Sequence, residues 1–135
     1  MCADFLRDCL HTFVIMEPCF PANPKEAIHR GFAKAEQAFM NKVYDPKTNQ
    51  LSDKSGSCAI VVLIVQETCY VANVGDSRAV LSSHGGRKTV PLSFDHKPGD
   101  EAETERIRKA GGEIYYRTAT NQVITYDKEK LNKYQ

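Results

Sequence analysis

The amino-acid sequence predicts a layered α+β fold in a single domain. The 135 residues match the usual size of one domain. Two stretches with helical spacing come first, strand-like segments follow, and a further helix pattern comes after them. The apolar run from Cys58 to Val65 is rich in β-branched residues and has no polar face, which is typical of a strand covered on both sides.

Two helices are predicted in the first third of the chain. Ala3 to Val14 carries its apolar side chains at helical spacing and reads as a short amphipathic helix. The prolines between Glu17 and Pro24 indicate a connector. Asn23 is a good N-cap for the second helix, with Glu26 in its first turn, and the apolar stripe of this helix extends to about Lys42.

The middle of the chain predicts an exposed loop and then a meander of four short strands. The loop is the polar segment from Tyr44 to Ser57. The strands are expected at Cys58–Val65, Cys69–Val74, Ala79–Ser82 and Thr89–Leu92. Because only short polar turns separate these segments, neighbouring strands are expected to pair in antiparallel fashion.

A third helix is predicted after the strands. Asp100 would cap it, Glu103 would complete a capping box, and the helix would run to Ala110 before two glycines end it. Two further strands are expected at Glu113–Tyr116 and Val123–Tyr126. The last residues, 127–135, are charged and weakly patterned.

Charge and hydropathy set limits on the partners of the chain. Lysine and arginine number 18 against 17 acidic residues, for a net charge of +1, so neither nucleic acid nor an anionic membrane is indicated. The longest apolar run has eight residues and is too short to cross a bilayer. The first residues include acidic side chains, so we do not expect them to act as a signal peptide.

The cysteine pattern favours a reducing compartment. The cysteines are Cys2, Cys9, Cys19, Cys58 and Cys69, an odd number without C-x-x-C spacing. A disulfide framework in a small secreted chain would favour an even count. We therefore expect reduced, mostly buried thiols in a cytoplasmic or nuclear protein. The histidines show no zinc-ligand spacing with these cysteines.

Asp76 is the leading candidate for a site residue. It lies in the polar turn Asn73-Val-Gly-Asp-Ser-Arg78, between two strands that are otherwise apolar. A carboxylate at a strand end is held by a rigid backbone and can face a divalent cation such as Mg²⁺ or Mn²⁺. The alternative is an ordinary hairpin residue, because glycine and aspartate both tolerate turn geometry.

Other polar groupings form no complete active site. Asp95 and His96 are adjacent and suggest a general base, but neighbours in an extended segment point in opposite directions, and a loop role for His96 is the alternative. Three candidate serines, Ser57, Ser77 and Ser93, each lack the G-x-S-x-G context of a nucleophile. The acidic residues near Asp100 suit a helix start, where the macrodipole favours negative charge.

An ordered set of motifs resembles the metal-dependent protein phosphatases of type 2C. The segments that carry the resemblance are Ser55–Val62, Tyr70–Leu81, Leu92–Pro98, Glu105–Ile107 and Ala110–Gly112, with Glu26–Ile28 and Gly31–Phe32 upstream. The resemblance is strongest over residues 23–113 and looser over 2–14, and residues 114–135 match no motif of the family. Residues 1–135 are therefore expected to form a partial phosphatase domain.

The resemblance implies a fold, an activity and a role for Asp76. The family's fold is a β-sandwich flanked by helices. Its members hydrolyse phosphoserine and phosphothreonine in phosphoprotein substrates, using Mg²⁺ or Mn²⁺ ions that activate a water molecule. Asp76 matches the aspartate that helps to hold an additional, weaker metal ion in the family.

The sequence also lacks motifs of the family. The D-G-H-G-G, D-G-L-W-D and D-N motifs, which supply the core metal ligands, are absent, and so is the arginine that grips the phosphate. We therefore expect the central portion of a phosphatase domain that is inactive alone. The alternative is a pseudophosphatase-like binding or regulatory module without metal chemistry.

An incomplete sandwich has a physical consequence. Ile60, Val62 and Ile64 would face one layer, while Val61, Leu63 and Val65 would face another. Because one of these layers would lack its cover, we expect the isolated chain to be partner-bound or self-associating.

Overall fold

The computed structural model describes residues 1–117 and 123–125, and the chain divides into two compact units, residues 1–95 and 96–135. The helices are α1 (Cys2–Ile15), α2 (Pro24–Val43) and α3 (Glu101–Lys109). The strands are β1 (Tyr44–Asp45), β2 (Gln50–Leu51), β3 (Ala59–Val65), β4 (Thr68–Val74), β5 (Val80–Ser83), β6 (Lys88–Pro91), β7 (Tyr115–Arg117) and β8 (Val123–Thr125). The predicted α+β class is confirmed.

The two predicted N-terminal helices form and pack against each other in the first unit. Asn23 caps α2 as expected, since its Oδ1 accepts a hydrogen bond of 3.2 Å from the backbone N–H of Glu26. The buried cluster consists of Val14, Ala27 and Ile28, with partly buried side chains from β3 and β4 packed against it. The helix pair therefore forms one layer of the core, and the inner face of the β3–β4 hairpin forms the other.

The approach of the two helices depends on Gly31. A Cβ atom at this position would lie 2.6 Å from Val14 Cγ2 and 2.9 Å from both the N and Cα atoms of Val14. Such distances are below normal van der Waals contact, and two of the three atoms belong to the backbone of α1. Only glycine allows α2 to pack this closely.

The hairpin of β3 and β4 forms with the predicted antiparallel pairing, from Ala59 opposite Val74 to Val65 opposite Thr68. Among the residues described, the cover on both faces that the apolar run suggests does not occur, which agrees with the expectation that an incomplete sandwich leaves one layer uncovered. Ile60, Val62 and Ile64 have exposed fractions of 38%, 55% and 70%. The helices cover one face of the hairpin, and no described element forms a layer on these three side chains, here called the outer strip.

The predicted four-stranded meander is also wrong. The strands β3 and β4 form one two-stranded sheet, and β5 and β6 form another. The chain between Val74 and Val80 is irregular, so β4 and β5 make no ladder with each other. The predicted exposed loop after α2 contains a small hairpin of its own, in which β1 pairs with β2.

The second unit contains α3 and the short strands β7 and β8, which pair with each other. The predicted capping box is wrong, because the Asp100 side chain makes no capping hydrogen bond. Glu103 binds Arg106 instead, with Nε to Oε2 at 2.8 Å, and this hydrogen bond holds the pKa of Glu103 below its usual value. Thr104 Oγ1 donates to the Pro98 carbonyl at 2.6 Å and fastens the start of the helix. Residues 118–122 and 126–135, including the predicted strand end at Tyr126, lie outside the described residues.

All five cysteines are free thiols, but the expectation that most are buried is wrong. Cys58 and Cys69 are exposed, and the other three are partly buried. The two exposed thiols belong to the β3–β4 hairpin region, where apolar sequence suggested a burial that the fold does not provide. In the part of the chain that the structure describes, no helix is long and apolar enough to cross a bilayer.

The outer strip leads to a prediction about self-association. Contiguous exposed apolar side chains on a strand favour association with other molecules. We expect the 135-residue chain to form dimers or larger species and Ile64→Lys to shift it towards the monomer, as measured by sedimentation velocity. The matched control is Ser82→Lys, which adds the same charge at an exposed position of β5. A monomeric wild-type chain, or an equal effect of both substitutions, would contradict this expectation.

Candidate functional site

Asp76 lies in the irregular turn that follows β4. Gly75 immediately precedes it and has φ = 104°, a left-handed conformation that favours glycine. The Asp76 side chain is exposed, so its carboxylate is accessible to a ligand from solution. The local sequence folds in this way because β4 ends at Val74, where glycine allows the chain to turn sharply.

Asn73 ties this turn to a distant segment. Its Nδ2 donates to the Gly75 carbonyl at 3.0 Å and to the Phe94 carbonyl at 2.8 Å. The two bonds use both amide hydrogens, so the orientation of the side chain is fixed by its partners. Asn73 therefore joins the backbone before Asp76 to the segment that follows β6.

A second set of bonds fixes the other side of the turn. The Ala79 N–H donates to Ser93 Oγ at 2.9 Å, and Ser93 is buried. Arg78 Nε donates to Asp95 Oδ1 at 2.8 Å, and this hydrogen bond raises the pKa of the Arg78 guanidinium above its ordinary value. The backbone on both sides of Asp76 is thus bound to residues 93–95.

The Asp76 carboxylate itself has one hydrogen-bond donor among the described side chains. Cys58 Sγ lies 3.2 Å from Asp76 Oδ1 and donates to it. The β3–β4 register explains this contact, because the pairing of Ala59 with Val74 places Cys58 opposite Gly75 at the open end of the hairpin. Sequence reasoning missed Cys58, although the register of the predicted hairpin carried the signal.

The other candidate residues have structural partners. Asp95 binds Arg78, and His96 belongs to the second unit. Ser57 Oγ donates to the carbonyl of Cys58 at 2.7 Å, and Ser93 Oγ accepts from a backbone N–H as described above. The sequence did not indicate that Asn73 and Ser93 hold the turn in place, because their contacts join residues that are 21 and 14 positions apart in the chain.

The described residues can supply one ligand to a hard metal ion such as Mg²⁺, but they do not form a complete metal-binding centre. No group of three or more histidine, cysteine, aspartate or glutamate side chains among them could hold a metal ion. Mg²⁺ and Mn²⁺ prefer oxygen ligands, so the Asp76 carboxylate suits them and the neighbouring thiol does not. Asp76 can therefore supply one carboxylate to a cation, and further ligands would have to join it.

Comparison with known proteins identifies what this chain is similar to. The family model "Protein phosphatase 2C" matches residues 1–125. A probable protein phosphatase 2C of Caenorhabditis elegans is 44% identical over 108 residues, which are 79% of this chain. Probable protein phosphatases 2C of rice and Arabidopsis thaliana are 37% and 36% identical over 82% and 84% of the chain. No solved structure gives a significant match.

The matched region is a limited part of these relatives. The aligned residues span 28% of the length of each of the three proteins. Asp76, its bracing residues and the β3–β4 hairpin all lie inside the 125 residues that the family model matches.

Proposed function

The chain belongs to the protein phosphatase 2C family, and on that premise we propose that it forms the central portion of a metal-dependent protein serine/threonine phosphatase. The observation that carries the proposal is the exposed Asp76 carboxylate in a turn braced on both sides. A ligand carboxylate must keep its position when the cation binds, and a braced turn at a strand end meets that requirement.

The roles of the chain's own residues follow from their contacts. Asp76 would give one carboxylate oxygen to Mg²⁺ or Mn²⁺, while Asn73 and Ser93 hold the backbone that carries it. When bound, such ions lower the pKa of a coordinated water and neutralise charge on a phosphoryl group. The remaining ligands would come from family segments outside the aligned 28% of the relatives.

The substrates and the location are part of the same proposal. We expect phosphoserine and phosphothreonine in phosphoproteins as substrates. We also propose a cytoplasmic or nuclear location, because an odd number of cysteines without C-x-x-C spacing suits a reducing compartment.

A chimera tests the proposed activity and its specificity. In this chimera, the aligned part of the chain replaces the 108 aligned residues of the C. elegans relative, and the intact relative is assayed in parallel. We expect Mg²⁺-dependent phosphate release from phosphoserine and phosphothreonine peptides, at least about tenfold faster than from the phosphotyrosine peptide of the same sequence. A folded chimera that binds no metal and releases no phosphate would favour the pseudophosphatase-like module instead.

The 135-residue chain by itself should be inactive. The part of the chain that the structure describes supplies one such carboxylate, which cannot assemble the metal centre that the reaction requires. We expect no phosphate release from a phosphothreonine peptide above the EDTA blank, at any Mg²⁺ or Mn²⁺ concentration tested. Turnover that EDTA abolishes would show that the residues of the 135-residue chain suffice, and the proposed need for further ligands would be wrong.

A further inference from the structure

We propose that Cys58 is a positioning residue, whose thiol holds the Asp76 carboxylate in the orientation that binds the cation. This inference rests on the proposed function, because it assigns Asp76 a metal ligand's role. Its direct observation is the hydrogen bond from Cys58 Sγ to Asp76 Oδ1 at 3.2 Å. The structure gives the second oxygen of Asp76 no hydrogen-bond partner among the described residues, so the bond to Oδ1 leaves Oδ2 available.

The backbone brings the thiol to the carboxylate. Cys58 lies one residue before β3, and the strand register places it beside Gly75. A Cβ atom at Gly75 would lie 2.4 Å from Cys58 Sγ and 2.8 Å from Cys58 Cβ. The missing side chain at Gly75 therefore makes room for the thiol, which reaches past Gly75 to the next residue.

The need for a positioning group follows from the exposure of Asp76. An exposed aspartate can occupy three staggered χ1 wells, and a cation site uses the geometry of one of them. If only about a third of the molecules hold the competent rotamer, the apparent affinity falls about threefold. A donor that selects one rotamer removes this loss. A thiol is a weak donor and selects the rotamer only in part, so an effect of about two- to threefold is the appropriate scale.

Infrared spectroscopy tests the hydrogen bond without metal or activity. The S–H stretching band of a thiol shifts to lower frequency when the thiol donates a hydrogen bond. In the 135-residue chain, we expect one low-frequency S–H band that disappears in Cys58→Ser and moves to higher frequency in Asp76→Ala. The matched control is Cys69→Ser, which removes another exposed thiol and should leave the low-frequency band in place. An S–H spectrum that Asp76→Ala does not change would overturn the proposal.

Metal binding tests the consequence for the site. In the chimera, Cys58→Ala should raise the Mg²⁺ concentration for half-maximal activity about two- to threefold, with the KM for peptide unchanged. An electron paramagnetic resonance titration with Mn²⁺ should show the same weakening for one bound ion. Cys58→Ser keeps a hydroxyl donor, so its affinity for the cation should fall less than that of Cys58→Ala. Cys69→Ala should have the same affinity as the parent chimera.

The outcomes separate this inference from the proposed function. A folded, active Cys58→Ala chimera with unchanged Mg²⁺ and Mn²⁺ dependence overturns the positioning role and leaves the phosphatase assignment intact. A folded parent chimera without activity or Mn²⁺ binding overturns the proposed function, and with it the role of Cys58 towards a cation. Thermal unfolding of each variant identifies any loss that comes from misfolding, and if Cys58→Ala misfolds, the response of the S–H band to Asp76→Ala decides in its place.

Discussion

Gly31→Val is expected to destabilise the chain by about 3 kcal/mol or more. Valine would place its Cβ 2.6 Å from Val14 Cγ2 and 2.9 Å from two backbone atoms of α1. A side chain could rotate away, but the backbone of a packed helix can move only if the helix pair separates. Valine has a better intrinsic helix propensity than glycine, but the gain is below about 1 kcal/mol and does not offset the overlap.

Chemical denaturation of matched variants measures this effect. The control is Gly56→Val, because a Cβ atom at Gly56 meets nothing within 4 Å, and its cost should stay within about 0.5 kcal/mol. Adding Val14→Ala to Gly31→Val removes the overlap with Val14 Cγ2 but leaves the overlap with the backbone of α1. The double variant should therefore recover only part of the lost free energy of unfolding. Equal stabilities of the two valine variants would show that the helices do not pack through Gly31.

Asp76→Ala in the chimera is expected to raise the Mg²⁺ concentration for half-maximal activity about tenfold or more and to slow turnover. The substitution removes a carboxylate that would bind a cation, while the backbone bonds of the turn come from Asn73 and Ser93 and remain. Because the side chain is exposed, the free energy of unfolding should change by less than about 1 kcal/mol. Initial rates over a Mg²⁺ titration, together with thermal unfolding, measure both quantities.

The matched control for this substitution is Asp100→Ala. Asp100 is also an exposed aspartate, and its side chain makes no capping bond to α3. Its removal should leave the Mg²⁺ titration unchanged. If Asp76→Ala behaves in the same way as Asp100→Ala, then Asp76 is an ordinary turn residue.

The parts of the fold with local causes could be predicted from the sequence. Asn23 and the proline after it start α2 as expected, because the cap acts on a backbone N–H three residues away. The capping box at Asp100 fails although its pattern is correct, because Glu103 binds Arg106 on the next turn. A local pattern thus states which bonds are possible, and competition among neighbouring side chains decides which of them form.

Features that depend on distant segments could not be predicted in the same way. The apolar run of β3 indicates a strand, but no periodicity shows that Ile64 has no layer packed on it. The sequence pattern likewise predicted the strands β4 and β5, but it did not show that these two strands belong to separate sheets.

In the candidate site too, some features could be predicted from the sequence and others depend on contacts between distant segments. The resemblance to a family indicated Asp76, and the predicted hairpin register could have indicated Cys58. The contacts of Asn73 with Phe94 and of Ser93 with Ala79 required the structure, because each joins segments that no local pattern relates.

Phosphate release by the chimera from a phosphothreonine peptide, measured at saturating Mg²⁺ and again after EDTA, tests the proposed function most directly. If the chain is the central portion of a type 2C phosphatase, the rate should lie within about tenfold of the intact relative and vanish with EDTA. A folded chimera that shows no EDTA-sensitive phosphate release, beside a relative that does, would contradict the proposal.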